Sequence, residues 1–441
     1  MQQRTPARFF DSTVAILATQ FFCLLAIFFL NLLISRHFGE AGKGYVSLVV
    51  YLAEVLFSIA NLSLGFTAQY FVSKRLATPR RLFSNFVVFS LGAGILVVAV
   101  FVLTHSWWQP YLQNLELHQL LPALVLVLIL LIYEPSCQLL IAMGRIGKRS
   151  AVLLTQNYLI LALLVVLLLL GTNQPLQVVW LHPLSYGIAA VLLIYFVVRQ
   201  SGPPNQPSLN LFKETMKYGS WIYVANLLSF LVGRADFFML TALGSLEAAG
   251  VYSVAAGLTS PLLMVSLAVH TVFYPKTSSE SDADAAITTP FYYRQAIIVL
   301  ITGALGLAIC ARPVLGWYGE GFIAGLAPMF ILLVAAIIRG LNGILTLHIL
   351  GRGKSYIKSL TMFCSLIVAV GVNYLLIPKF GMIGAALGLT SAVFLENIIL
   401  TALYRVLVNG RIGQLYRFNK NDLTASFREG IALLKRMRST L

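Results

Sequence analysis

Charge is what this chain has least of. Only 10% of its 441 residues are Asp, Glu, Lys or Arg, while 59% are hydrophobic. An ordinary soluble domain carries about 25% charged residues, so this composition excludes a soluble fold. Acids are scarcer still, at 15 against 31 lysines and arginines, and there are only four cysteines. Cys23, Cys137, Cys310 and Cys364 all sit inside apolar runs, where they read as small packing residues and neither disulfides nor zinc ligands. A nucleotide cradle is missing too. Gly351-Arg-Gly-Lys-Ser355 ends like a P-loop, but His348 stands where its first glycine belongs, and no strand precedes it. Any work done by the protein is therefore not driven by its own ATP hydrolysis. The longest outer loop, about 105–118, offers only His105, Glu116 and His118, too little to position a general base. An enzyme is not expected.

What the chain has is apolar length. Twelve runs are long enough to cross a hydrocarbon core of about 30 Å: 12–35, 45–72, 83–104, 119–142, 151–170, 176–198, 217–241, 250–274, 292–311, 325–349, 356–377 and 383–407. The first follows Arg4 and Arg8 but is too long for a signal-peptide core and lacks a cleavage site, so it reads as a retained span. With the N-terminus in the cytoplasm, 25 of the 31 basic residues fall on the inner side. This positive-inside bias places both termini in the cytoplasm. It makes the surplus of positive charge a mark of topology and removes the case for a nucleic-acid partner, since no basic-aromatic module accompanies it. Trp107, Trp108, Trp317 and Tyr318 read as an interfacial belt on the outer side.

One stretch, SGPPNQPSLN at 201–210, has the composition of a linker and divides the spans six and six. Halves with even span counts share one orientation, so a repeat must be parallel. FGEAGKGYVSL (38–48) is similar to LGSLEAAGVYSV (243–254), with Gly44 and Gly250 offset by 206. MGRIGKRS (143–150) is similar to LGRGKSY (350–356), with Gly144 and Gly351 offset by 207. The expected organisation is all-α and polytopic: a six-helix lobe over 1–205, a second over 206–410, and a tail over 411–441. In the tail, Leu423, Phe427, Ile431 and Leu434 recur at helical spacing among basic residues. This suits either an amphipathic helix on an anionic leaflet or a solvated tail.

The informative residues are the few charges inside spans: Glu54, Glu134, Arg234, Asp236, Arg339 and Glu396. Each costs about 2.5–3.5 kcal/mol at mid-membrane. Span 7, carrying both Arg234 and Asp236, therefore bears about 5–7 kcal/mol, which its apolar residues return only by about 3–6 kcal/mol. In a straight helix the two lie about 200° apart and do not pair, so each needs a partner elsewhere or a wet cavity. Glu54, Ser58, Asn61 and Gly65 share one face of span 2, and Arg339, Asn342 and Thr346 recur similarly on span 10. Such stripes either line a polar interior or serve as interhelical glue. Pro135, after Glu134, disrupts span 4, either freeing carbonyls for a cavity or only kinking the helix. His182, His270 and His348 are open between proton relay and packing.

Several of these segments resemble one family. LIPKFGMIGAALGLT (376–390) is similar to a signature near the last spans of polysaccharide exporters, and RADFFMLTALGSLEAAGVYSVA (234–255) to their seventh-span pattern. LISRHFGEAGKGYVSL (33–48) and the GRIGKRS and GRGKS loops resemble further elements in the same order. The family is the multidrug/oligosaccharidyl-lipid/polysaccharide (MOP) flippase superfamily, in its Wzx-like polysaccharide transporter branch. The resemblance implies a V-shaped, MATE-like pair of lobes around a central cavity in the cell inner membrane. It implies a flippase for undecaprenyl-pyrophosphate-linked oligosaccharide that works by alternating access. Arg234 and Arg339, with Asn61 and Asn342, are then the expected headgroup-binding residues. Arg36 and Lys43, in the expected first outer loop, could add charge. Glu54, Glu134, Asp236 and Glu396 are the candidates for coupling to H⁺ or Na⁺, and no other cofactor is expected. Expected partners are the lipid-linked oligosaccharide and membrane lipids, with a polysaccharide polymerase and a chain-length regulator as candidate proteins. A MATE-like drug or cation antiporter and a non-transporting membrane scaffold are the rival readings.

Overall fold

The structure is a computed structural model that describes residues 6–263, 282–351, 355–408 and 412–418. Among these residues it is helical throughout, with short 3₁₀ turns and no strand. This is the form an apolar chain takes when every backbone polar group must be satisfied without water. The chain runs α1 (Pro6–Ala60), α2 (Leu64–Ser73), α3 (Pro79–Leu103), α4 (His105–Trp108), α5 (Leu117–Ala142), α6 (Ile146–Leu169) and α7 (Pro175–Ser201). It continues as α8 (Leu209–Val232), α9 (Ala235–Leu243), α10 (Leu246–Thr259), α11 (Asp282–Tyr318), α12 (Leu326–Gly351), α13 (Ser355–Phe380), α14 (Met382–Val408) and α15 (Ile412–Tyr416). Proline at the first turn starts α3 and α7. Ser208 and Ser245 cap α8 and α10 by accepting from the amides of Leu211 and Ala248.

Nine described helices are long and apolar enough to cross a membrane, or ten if α8 and α9 form one bent span. The longest, α1, holds two of the twelve expected spans, joined through a kink at Gly39 (φ 67°, ψ −167°). The eighth expected span runs past the described residues at 263, and the tail motif at 423–434 lies outside them as well. The count of twelve is compatible with this arrangement.

Three expectations are corrected. No loop separates the first two spans: Gly39 alone, in a left-handed conformation, redirects the chain, and Lys43 becomes a helical residue. The polar stripe of span 2 is not continuous, because the helix ends at Ala60 and resumes at Leu64 after Leu62 and Ser63 with φ of 50° and 48°. Span 4 is not broken at Pro135, and α5 runs through it. Pro135 instead packs against Gly65, where an added Cβ would stand 3.2 Å from the proline Cα.

The helices before and after the 201–208 connection form two groups. One large buried core unites them, drawing on Leu30–Ala60 in α1 and on Phe237–Ala255 in α9 and α10. Three smaller cores are separate: one around Phe86 and Tyr133, one around Tyr293 and Tyr404, and one of Val232, Ala369 and Ala392. The groups also touch through α8, where Tyr218 stacks on Tyr70 and Phe212 on Phe89, each pair with ring centroids 4.0 Å apart. The connection itself is docked on α3: Asn85 donates to the Ser208 carbonyl at 3.0 Å and accepts from its amide at 2.7 Å.

The shared end is built by the repeat. A Cβ on Gly44 would lie 1.9 Å from the Leu246 carbonyl oxygen, and one on Gly250 would lie 2.0 Å from that of Glu40. The two contacts are reciprocal, so α1 and α10 cross backbone to backbone as small residues allow. Ser47 donates to Ser253 at 3.1 Å, a pair with the same 206-residue offset. Equivalent positions of the sequence repeat thus meet at one helix crossing.

Candidate functional site

Span 7 resolves its charges by breaking. The helix stops at Val232 and restarts at Ala235, with a bend of 42°. Arg234 sits in the break as the residue preceding α9, with φ of −129°. Its side chain is therefore not fixed at about 200° from Asp236, as a straight helix requires. Arg234 Nη2 donates to Glu54 Oε2 at 2.8 Å, with 29% and 33% of the two side chains exposed. The guanidinium also lies 3.7 Å from the centroid of the Tyr51 ring, a cation–π contact. Asp236 is buried in the first turn of α9, where the helix dipole favours a carboxylate. Its oxygens accept from the Phe237 amide and the Tyr252 hydroxyl.

These groups line a cavity of about 760 Å³ between the two helix groups. Glu54, Arg234, Asp236 and Arg339 all face it. Arg339 lies on α12, and a Cβ on Gly233 would stand 3.1 Å from its Nη2, so the bare glycine in the break makes room for the guanidinium. Among the described residues Arg339 has neither a hydrogen bond nor an ion pair, although Glu396 and Asp236 lie within electrostatic reach. It is the arginine of the cavity left uncommitted.

Four sequence candidates lie elsewhere. Glu134 accepts from Gln138 at 2.7 Å, and Gln138 accepts from Gln69 at 2.8 Å, a relay inside the first helix group. Asn61 sits in the break between α1 and α2 with its side-chain oxygen buried and unpartnered. Asn342 and Glu396 belong to one buried network of the second group: Asn342 donates to Glu396 at 3.0 Å and accepts from Asn397 at 2.8 Å. None of the four lines the cavity. The residues expected to act together thus separate into a cavity set and two packing networks.

Two further cavity residues were weighed in the sequence, but in other settings. Lys43, expected in an outer loop, is 5% exposed and faces the cavity, donating to Asn31 Oδ1 and Ser47 Oγ at 2.8 Å each. The helical spacing of Lys43, Ser47 and Glu54 was the available signal. His182, weighed only as a histidine, is buried on α7 and lines the same space. The His270 and His348 side chains lie outside the described residues. Arg36 is exposed and does not line the cavity. Among the described residues no cluster of His, Cys, Asp or Glu could hold a metal ion.

Comparison with known proteins agrees with this architecture. The profile of a family described as polysaccharide biosynthesis protein matches residues 33–320, more than half of the chain. A putative O-antigen transporter of Shigella flexneri is 23% identical over 201 residues, 44% of this chain and 47% of that protein. The match thus spans about half the length of that curated relative. Among solved structures, an inward-facing MATE family multidrug resistance transporter of the MOP superfamily aligns with a TM-score of 0.67 at 13% identity, covering 88% of this chain and 94% of that one. The lipid II flippase MurJ, in an inward closed conformation, aligns at 0.67 and 13% identity over 94% and 92%. A MOP superfamily transporter from Pyrococcus furiosus aligns at 0.63 and 15% over 93% and 96%. At these identities the structural likeness establishes the fold, and the matching profile establishes the family. The chain belongs to the polysaccharide biosynthesis protein family, built on the fold of the MOP superfamily.

Proposed function

We propose that the protein flips a lipid-linked oligosaccharide across the cytoplasmic membrane by alternating access, with undecaprenyl pyrophosphate as the lipid carrier. The observation that carries this reading is the uncommitted guanidinium of Arg339 in a cavity lined by both helix groups. An unpaired arginine in an apolar interior is expensive. A pyrophosphate, taken bidentately by the planar fork, offsets that cost. The cavity volume falls in the range of about 300–1,000 Å³ typical of small-ligand sites. It suits a headgroup with part of its glycan while the lipid tail remains in the bilayer. Membership of a polysaccharide biosynthesis family and a relative named as an O-antigen transporter support the same cargo. Nothing about Arg339 favours a cationic drug, which the same guanidinium would repel.

In this reading the halves 1–205 and 206–410 are the moving lobes. The end at Gly44 and Gly250 faces outward, and the end carrying the 201–208 connection faces the cytoplasm, as the distribution of basic residues dictates. The reciprocal glycine crossing seals the outer end while the headgroup enters from the inner leaflet. The lobes then rock about the cavity. Coupling to H⁺ or Na⁺ acts at Glu54 or Asp236, the two acids that face the cavity. An ion biases the equilibrium only by its differential affinity for the two states.

Replacing Arg339 with glutamine tests the phosphate role. No described bond is lost, so abundance in the membrane is expected to stay normal. A charge-assisted hydrogen bond is worth about 1.5–3 kcal/mol, so export is expected to fall about tenfold or more. Surface polysaccharide and membrane abundance of Arg339→Gln, measured together, check this. Normal export would remove Arg339 from the site and with it the main support for an anionic headgroup.

A further inference from the structure

Two connections occupy equivalent places in the repeat. The one between α3 and α5 and the one between α11 and α12 each carry a 3₁₀ turn, Gln109–Leu112 and Glu320–Gly325. Each buries apolar side chains in the core that unites the two helix groups: Leu112 and Leu115 from the first, Phe322 from the second. Leu115 and Phe322 stand 207 residues apart, the offset of Gly144 and Gly351.

Each connection also crosses to the other helix group. Gln113 Nε2 donates to the Thr241 carbonyl at 2.5 Å, with the Gly244 carbonyl at 3.4 Å. Thr241 is in the last turn of α9 and Gly244 follows its end, so the amide caps carbonyls that a helix leaves without a partner. In return, Gly321 lies against Glu40 of α1, where an added Cβ would stand 1.8 Å from Glu40 Oε1. Both contacts flank the glycine crossing. Glu40 supplies the carbonyl that meets Gly250, and Gly244 stands two residues before Leu246, whose carbonyl meets Gly44. The first connection is also strained. Gln113 and Asn114 both have φ of 57°, a left-handed backbone that residues other than glycine occupy at a cost. Burial of Leu112 and Leu115 on either side and the tie from Gln113 to α9 hold it there.

We propose that these two connections are reciprocal straps that hold the Gly44–Gly250 end closed, with Gln113 as the latch and the Gln113–Asn114 pair as a strained segment that relaxes on release. Helix packing at the crossing favours the closed state, and the strained pair favours parting, so the seal is held without being locked. The strap goes beyond the flippase reading, on which it rests only for the motion that the latch opposes. Glutamine suits the task because its amide presents N–H to carbonyls. A carboxylate of the same shape sets an oxygen against them.

The test uses the purified full-length protein, freed of its four native cysteines, with spin labels at His118→Cys and Glu247→Cys, exposed positions on the two groups. Distances between the labels are read in nanodiscs, without cargo, by double electron–electron resonance. Gln113→Glu is expected to raise the long-distance population at least threefold, and Gln113→Ala to raise it in the same direction by less. Gly321→Val is expected to raise it from the other strap, and adding Glu40→Ala to lower it again by clearing the space. Unchanged distances in whichever Gln113 variant folds overturn the proposal. A lowered unfolding temperature with unchanged distances also overturns it, since Gln113 then serves only the fold. If the Gln113 variants open while the native protein moves no lipid-linked oligosaccharide in proteoliposomes, the strap stands and the flippase reading falls.

Discussion

Alanine or valine in place of Gly44 or Gly250 is expected to prevent the cavity from sealing and to reduce export about tenfold or more. The added Cβ would stand 1.9 Å or 2.0 Å from a backbone carbonyl oxygen of the opposing helix. A backbone atom cannot swing aside as a flexible side chain does, so the helices must part by well over an ångström. Overpacking of this kind costs about 1–3 kcal/mol, which at tenfold per 1.4 kcal/mol shifts the population away from the sealed state by roughly fivefold to more than a hundredfold. The penalty falls on one state, since a parted pair of helices accommodates the methyl group. The substituted protein is therefore expected to fold and reach the membrane. A cysteine at Ser47, buried at 3% exposure in the sealed form, is expected to react with an impermeant maleimide from outside several times faster in the Gly250→Ala background. Unchanged labelling together with normal export would show that the crossing does not gate the cavity.

Arg234 is expected to behave differently from Arg339, because its removal leaves a charge behind. Glu54 depends on it for the 2.8 Å ion pair, and Tyr51 loses its cation–π partner as well. Breaking a fully buried pair from one side costs about 3–5 kcal/mol. With roughly a third of each side chain exposed, a loss of about 1–3 kcal/mol is expected for Arg234→Ala. The pair bridges the two helix groups, α1 to the α8–α9 break, so the loss weakens their association in the sealed state. Glu54→Gln is expected to cost less, since an arginine at the cavity wall still reaches water. Combining Arg234→Ala with Glu54→Gln is expected to recover at least half of the lost stability. Thermal unfolding of the purified single and double variants measures this coupling directly. Additive losses would mean that the ion pair contributes nothing beyond its separate parts.

Much of the architecture was legible in the chain, because lipid leaves few choices. Apolar run lengths fixed where helices lie, and the Gly44 and Gly250 offset anticipated a symmetry that the structure turns into a helix crossing. What escaped was anything decided by one or two backbone torsions. Gly39 reads like any loop glycine, yet its left-handed φ lets α1 pass without a loop and carries Lys43 inward. Leu62 and Ser63 give no sign of their positive φ, so the polar stripe of span 2 looked continuous. The break at Gly233–Arg234 was hidden for the same reason, although the helix was marginal as a straight span. Six in-span charges stand out in the sequence as the unusual residues. Their division into cavity groups and packing networks depends on which helices meet. Glu396 and Asn342, at 54 residues' separation, carry no mark of their 3.0 Å hydrogen bond.

Under the proposed function, the Gly44–Gly250 crossing must open for cargo to leave. Ser47 Oγ and Ser253 Oγ stand 3.1 Å apart across it, close enough for cysteines there to approach disulfide geometry. In a background freed of the four native cysteines, the Ser47→Cys, Ser253→Cys protein should be assayed for flipping of lipid-linked oligosaccharide in proteoliposomes, oxidised and then reduced. Complete loss of transport is expected in the cross-linked protein, with recovery once the bond is reduced. Quantitative cross-linking with transport undiminished would contradict it.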